Sequence, residues 1–230
     1  MQSYEMIDEM LKMQKRLNDE TNGAGWEDGY NKNGKLISWK RCVYMECAEL
    51  IDSFAWKHWK NIDAKPDVEN IKIEIADIWH FVLSLILEKG YRAGISERQM
   101  LEDIVSVSGF NEFCYEAYDI EAHNLYELVN DAEIIIHQCS GFDFDLHNLI
   151  TNYFRLALKC GVNLNELFKI YMGKNVLNKF RQDNGYKDGS YVKNWGGKED
   201  NVVLGEILAS GVMKTDEIYS ALSEAYAKFK

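Results

Sequence analysis

A single proline, Pro66, stands in the whole chain of 230 residues. Proline removes a backbone N–H and breaks helix interiors, so its near absence leaves long stretches free to run as helices. The longer segments also carry apolar residues at helical spacing rather than in strand alternation. An all-α protein, a helical bundle, is the expectation. A first helix is predicted over about Tyr4 to Glu20, stopping near "TNGAG", and a second over about Ile37 to Lys57. The third begins after "AKPD", where Pro66 and Asp67 form a start signal, and runs to about Glu88, before Gly90. Further helices are expected at about Asn124 to Gln138, Leu146 to Lys159 and Leu164 to Asn184. The last two are joined by "CGVN", a capping glycine followed by a capping asparagine. The glycine-bearing stretch "GYKDGSYVKNWGGKED" reads as a loop, and a helical region follows from about Val202 to the end. No repeat, low-complexity tract or Pro/Ser/Gly linker interrupts the chain. One domain over residues 1–230 is expected, with residues 89–124 as a less regular insertion holding one or two short helices.

Two of the predicted helices carry acids where apolar residues should pack. "ECAE" sets Glu46 and Glu49 three residues apart among Cys42, Val43, Leu50 and Ile51, and "EIAD" sets Glu74 and Asp77 among Ile73, Ile78 and Phe81. Residues three apart share a helix face, so each pair forms one carboxylate couple. Burying unpaired carboxylates costs several kcal/mol each, and four together repel, so cations are needed among them. Lys40, Arg41 and Lys72 are nearby but are not repeated beside each acid. An all-oxygen cluster suits Mg²⁺ or Mn²⁺, which places a candidate metal site between consecutive core helices. Taken singly, each pair also fits an ordinary exposed helix face, and both readings stay open on the residues alone.

The net charge of −11 argues against a general nucleic-acid or acidic-membrane binder, because both would be repelled. A phosphorylated ligand would need local cations. The five cysteines, Cys42, Cys47, Cys114, Cys139 and Cys160, are scattered and include no CxxC pair, which points to free thiols in a reducing compartment. "MQSYEMIDEM" has neither the basic start nor the apolar stretch of a signal peptide, and no window approaches the ~20 apolar residues of a membrane span. A cytoplasmic protein without membrane or nucleic-acid partners is expected.

The combination of "ECAE", about two dozen intervening residues and "EIAD" resembles the all-α nucleoside triphosphate pyrophosphatases. The longer stretches "LISWKRCVYMECAELIDSFAWKHWK", "IEIADIWHF" and "GKNVLNKFRQDNGYKDGSY" are similar to their dimeric dUTPase branch, with a likeness reaching to about Asn201. The resemblance implies hydrolysis of dUTP, and of dUDP, to dUMP by a homodimer that binds two or three Mg²⁺ ions, Mn²⁺ being a possible substitute. Glu46, Glu49, Glu74 and Asp77 would hold the ions, and Glu49 is the choice for orienting or deprotonating the attacking water.

Cations of the kind a polyphosphate needs do occur. Lys174, Asn178 and Arg181 form one stripe, with Tyr171, Leu177 and Phe180 turned to the core, and Lys187 and Lys193 follow in the glycine-bearing loop. A solvated helix face is the alternative reading of that stripe. By resemblance, Lys174, Arg181 and Lys187 meet the β and γ phosphates, and Asn178 meets base or sugar. On the first helix, Gln14 and Asn18 continue the apolar stripe of Ile7 and Leu11. An inward amide needs partners, and the uracil edge offers them, as does a neighbouring helix end. His80, three residues after Asp77, reads as a hydrogen-bonded core residue or a sugar contact. Trp56 and Trp59 read as core packing, and the resemblance would put Trp59 against ribose or base.

Three competing readings remain. A dCTP-preferring or broad-specificity pyrophosphatase differs only in a few amides. A di-iron carboxylate bundle would want ExxH twice, and only "DIWH" occurs. A helical interaction protein with solvated acidic faces would leave the Lys174 stripe unexplained.

Overall fold

The computed structural model describes residues 2–61 and 63–229; Met1, Ile62 and Lys230, the last residue of the predicted closing helix, lie outside the described residues. Among the described residues the all-α expectation holds. The helices are α1 (Ser3–Asn22), α2 (Trp39–Ser53), α3 (Val68–Arg92), α4 (Glu97–Ser106), α5 (Phe110–Tyr115), α6 (Leu125–Ser140), α7 (Leu146–Lys159), α8 (Leu164–Asp183), α9 (Asp200–Ala209) and α10 (Thr215–Phe229). Two 3₁₀ turns, at Trp26–Asp28 and Ile120–Ala122, and a small antiparallel hairpin of β1 (Asn194–Trp195) and β2 (Lys198–Glu199) complete the chain. The chain forms two compact units, Met1–Leu167 and Phe168–Lys230. That division falls inside α8, so no linker composition marks it in the sequence.

In the first unit α2 packs on α3 and on α6, α1 packs on α3, and α7 on α6. The faces that meet are the ones periodicity predicts. Ile7, Met10 and Leu11 of α1, Val43, Cys47 and Leu50 of α2, and Ile71, Ile75, Ile78 and Val82 of α3 are all buried. Trp79 stacks on Tyr153 with ring centroids 4.9 Å apart, and Phe113 on Phe154 at 4.4 Å, which ties α3 and α5 to α7.

The caps follow the sequence signals. Asp67 accepts from the Asn70 amide at 3.0 Å, and Asn163 from the Glu166 amide at 3.1 Å. Gly161 takes a left-handed φ of 78° between α7 and α8, and the next amide, of Val162, reaches back to the Ala157 carbonyl at 2.9 Å. The second helix is shorter than predicted and ends at Ser53 rather than Lys57. Phe54 drops into the core, and Ala55 adopts a φ of 55°, which no α-helix accommodates. Residues 89–124, where one or two short helices were expected, hold two, α4 and α5.

The second unit has its own core, centred on Phe180, whose ring meets those of Tyr191, Trp195, Tyr219 and Tyr226 edge-on within 6.3 Å. There α8 and α9 approach closely: a Cβ on Gly173 would stand 2.8 Å from Leu208 Cδ1. The predicted closing helix is broken into α9 and α10 at Gly211, which has a φ of 91°.

All five cysteines are free thiols, and only Cys42 is more than marginally accessible. Burial pushes the Cys42 thiol up to about 11 and that of Cys139 to about 12. The thiolate is the reactive form, so alkylation of the native protein at pH 8 is expected to run about a hundredfold slower than in urea. Rapid native labelling of several cysteines, read by mass spectrometry, would contradict this packing.

Candidate active site

Packing of α2 on α3 brings three of the four predicted acids together. Glu46 on α2 and Glu74 and Asp77 on α3 each place a carboxylate oxygen within 4.8 Å of the others'. Glu74 is buried at 6% exposure, and Glu46 and Asp77 are half-buried. Asn70, one turn before Glu74, donates to Glu74 Oε1 at 3.1 Å and to Ser53 Oγ at 2.8 Å, while Ser53 donates to the Glu49 carbonyl at 3.2 Å. The end of α2 and the start of α3 are thus braced beside the acids.

Carboxylates this close repel by a few kcal/mol per pair at an effective dielectric of about 20. Hard, anionic oxygens converging from two rigid helices are the donor set a divalent cation takes. The residues fit the metal that the sequence implied. Glu49 lies one turn beyond Glu46, exposed, and is not part of the three-acid group. Three residues along a helix is an offset of about 60° around its axis, enough to carry one acid into the α2–α3 contact and leave the other at its edge.

Also within the first unit, the two amides of α1 meet α3. Gln14 and Asn18 are each 3% exposed, and both donate to Ser84 Oγ at 3.0 Å. Gln14 Nε2 also donates to Asn18 Oδ1 at 3.0 Å, and its Oε1 lies 2.7 Å from His80 Nδ1. Both amides and His80 do turn inward, as the stripe required. Trp59 is 62% exposed in the segment after α2 and sits edge-on to Trp56 at 5.3 Å, so it is not a core residue. Trp56 is itself at the surface, where its Nε1 donates to Asp52 at 3.0 Å.

In the second unit Tyr171, Leu177 and Phe180 face inward as predicted, but so does Lys174, at 1% exposure. Its Nζ donates to Asn201 Oδ1 at 2.8 Å. Arg181 forms a two-pronged pair with buried Asp200, Nε to Oδ2 at 2.9 Å and Nη2 to Oδ1 at 2.8 Å, and Tyr191 donates to the same carboxylate at 2.8 Å. Burial opposes the Asp200 charge, yet the Arg181 hydrogen bonds and charge, with Tyr191 and Lys174, hold its carboxyl below the ordinary value. Asn178 accepts from Arg181 at 3.3 Å, and Lys187 is exposed in the following loop. The stripe is a braced set of cations rather than a solvated face.

Ser84, Asp200 and Asn201 escaped the sequence reading. Ser84 could have been found one turn beyond His80, whereas nothing in the sequence couples Asp200 to a residue on another helix.

The family model described as dUTPase matches residues 6–186, most of the chain. The chain belongs to the all-α dUTPase family. As a dUTPase it is a dUTP diphosphatase, a hydrolase of nucleotide metabolism acting on a nucleotide. Comparison with curated proteins finds none that matches. The match includes the three-acid group, the α1 amides, Ser84 and the α8 cations, and it stops short of Asp200 and Asn201. No helix among the described residues is long and apolar enough to cross a membrane.

Proposed function

We propose that this dUTPase hydrolyses dUTP, and also dUDP, to dUMP in a Mg²⁺-dependent reaction, with Mn²⁺ able to substitute. The convergence of Glu46, Glu74 and Asp77 carries this reading. These three, with Glu49 at the margin, would hold two or three ions. Bound there, the ions would supply neutralising charge for the polyphosphate and lower the pKa of a water. Glu49 orients the attacking water and takes its proton. Its exposure suits that task, since the proton it takes must pass on to solvent. The water oxygen bonds to phosphorus while the P–O bond to the leaving pyrophosphate, or phosphate from dUDP, breaks. Lys174, Arg181 and Lys187 receive the β and γ phosphates, and Asp200 fixes the orientation of the Arg181 guanidinium for that role. Gln14, Asn18 and His80 serve the base, and Asn178 and Trp59 the base or sugar.

The 230 residues are read as one functional dUTPase-like domain, working as a homodimer in the cytoplasm. The free thiols, four of the five buried, support a reducing compartment.

Pyrophosphate release from dUTP, dCTP and dTTP, with and without Mg²⁺, tests the reading. Release from dUTP is expected only with the ion and at least about tenfold faster than from dCTP. Equal rates on all three would favour the broad-specificity pyrophosphatase instead, and metal-independent release would remove the role given to the three acids.

A further inference from the structure

We propose that Ser84 sets the base preference of the site by fixing the hydrogen-bonding polarity of Gln14, Asn18 and His80. The inference rests on the base site proposed above, to which those three residues belong. Ser84 is fully buried on α3, one turn after His80. Its hydroxyl has one proton to give. The main-chain carbonyl of His80 takes that proton at 2.9 Å, closer than the other acceptor in reach, Asn18 Oδ1 at 3.4 Å. Ser84 Oγ is then an acceptor only, and Gln14 Nε2 and Asn18 Nδ2 both donate to it at 3.0 Å.

An amide that turns its NH₂ to Ser84 must turn its oxygen elsewhere. Gln14 Oε1 consequently faces His80 Nδ1 at 2.7 Å. A carbonyl oxygen can only accept, so Nδ1 carries the ring proton, and in the neutral imidazole Nε2 is the accepting nitrogen. One serine proton therefore dictates two amide orientations and one tautomer.

Uracil and cytosine differ in polarity at two adjoining positions. Uracil has a donor N3–H and an accepting O4, where cytosine has an accepting N3 and a donating amine. An accepting His80 Nε2 complements the first uracil group, and the second N–H of Asn18 complements the other. Cytosine would oppose both. Gln14 spends its two N–H groups on Asn18 and Ser84, so it relays the polarity rather than reading the base. A buried site of fixed polarity discriminates strongly because a mismatched edge leaves desolvated groups unpaired. Ser84 is the positioning residue on which that polarity depends.

The test combines steady-state kinetics on dUTP and dCTP with ¹⁵N NMR of the His80 ring, for the wild type, Ser84→Ala, Ser84→Thr and Asn18→Ala. The wild type should show the Nδ1–H tautomer. Ser84→Ala should mix the tautomers and lower the dUTP-to-dCTP ratio of kcat/KM by about tenfold or more, mainly through the KM for dUTP. Ser84→Thr, which keeps the hydroxyl, should restore most of that ratio. An Nε2–H tautomer in the wild type overturns the inference whether or not the alanine variant folds. So does a Ser84→Ala enzyme with unchanged base preference, provided Asn18→Ala raises the KM for dUTP. If Asn18→Ala leaves that KM unchanged as well, the base-site reading itself falls, and the Ser84 inference with it.

Discussion

Replacing Glu74 by Gln is expected to lower dUTP turnover by about a thousandfold or more, because several kcal/mol of charge stabilisation depend on the ion it helps to hold. The fold should survive. Glu74 is buried within 4.8 Å of the carboxylates of Glu46 and Asp77, so removing its charge relieves repulsion in the metal-free protein. Glutamine keeps the size of the side chain and an oxygen to accept from Asn70. The melting temperature without Mg²⁺ is therefore expected to stay level or rise.

The difference should appear when the ion is added. At about 100 times its Kd, a ligand that binds only the native state stabilises it by about 2.7 kcal/mol, and the variant should lose most of that gain. Melts with and without Mg²⁺, beside turnover, separate a metal role from a folding role. A Glu74→Gln protein that keeps the full Mg²⁺ stabilisation would show that the ion sits elsewhere. One that is already unfolded without the ion would show that the acid serves structure.

Asp200→Asn is expected to destabilise the protein by about 3–5 kcal/mol, the usual result of breaking one side of a buried ion pair. Asp200 is 1% exposed and takes both prongs of Arg181 together with the Tyr191 hydroxyl. Asparagine leaves the guanidinium charge desolvated without its counter-charge. Burial and the bond to Asp200 push the Tyr191 phenol well above its ordinary range, so it stays a donor throughout the working pH.

The sign with pH follows from the lowered carboxyl. Because the folded value lies below the ordinary 3.8, the stability Asp200 contributes is complete above that value. It is lost as pH falls through the folded value. Urea denaturation should thus separate wild type and variant fully at pH 7 and progressively less below pH 3.8. Equal stability at pH 7 would mean that the pair contributes nothing net. The same variant should raise the KM for dUTP, since Arg181 loses the partner that holds its plane.

Much of this was legible in order along the chain. The caps at Asp67 and Asn163, the glycine turn at Gly161 and the inward stripe of Gln14 and Asn18 all follow from local chemistry, which a sequence states directly. The sequence does not show where α2 ends, because Trp56 and Lys57 continue a helical composition. What stops the helix is Phe54 packing in the core and the left-handed Ala55, and neither depends on local propensity. In the sequence Lys174 is simply one member of a cationic stripe. Its burial depends on Asn201, 27 residues away, which no periodicity connects to it.

The sequence by itself determined the helical class, the helix faces and the clustering of acids, because residues three and four apart share a face wherever a helix forms. It could not decide which acids converge. Glu74 and Asp77 meet Glu46, while Glu49 stays outside their group. That choice is made by how α2 is rotated about its own axis against α3, a quantity fixed by packing of the whole core. Likewise, only the tertiary structure brings Asp200 to Arg181 and Ser84 to the amides of α1. Hydrogen-bond partners on different helices are chosen by distance in space, which the order of residues does not contain.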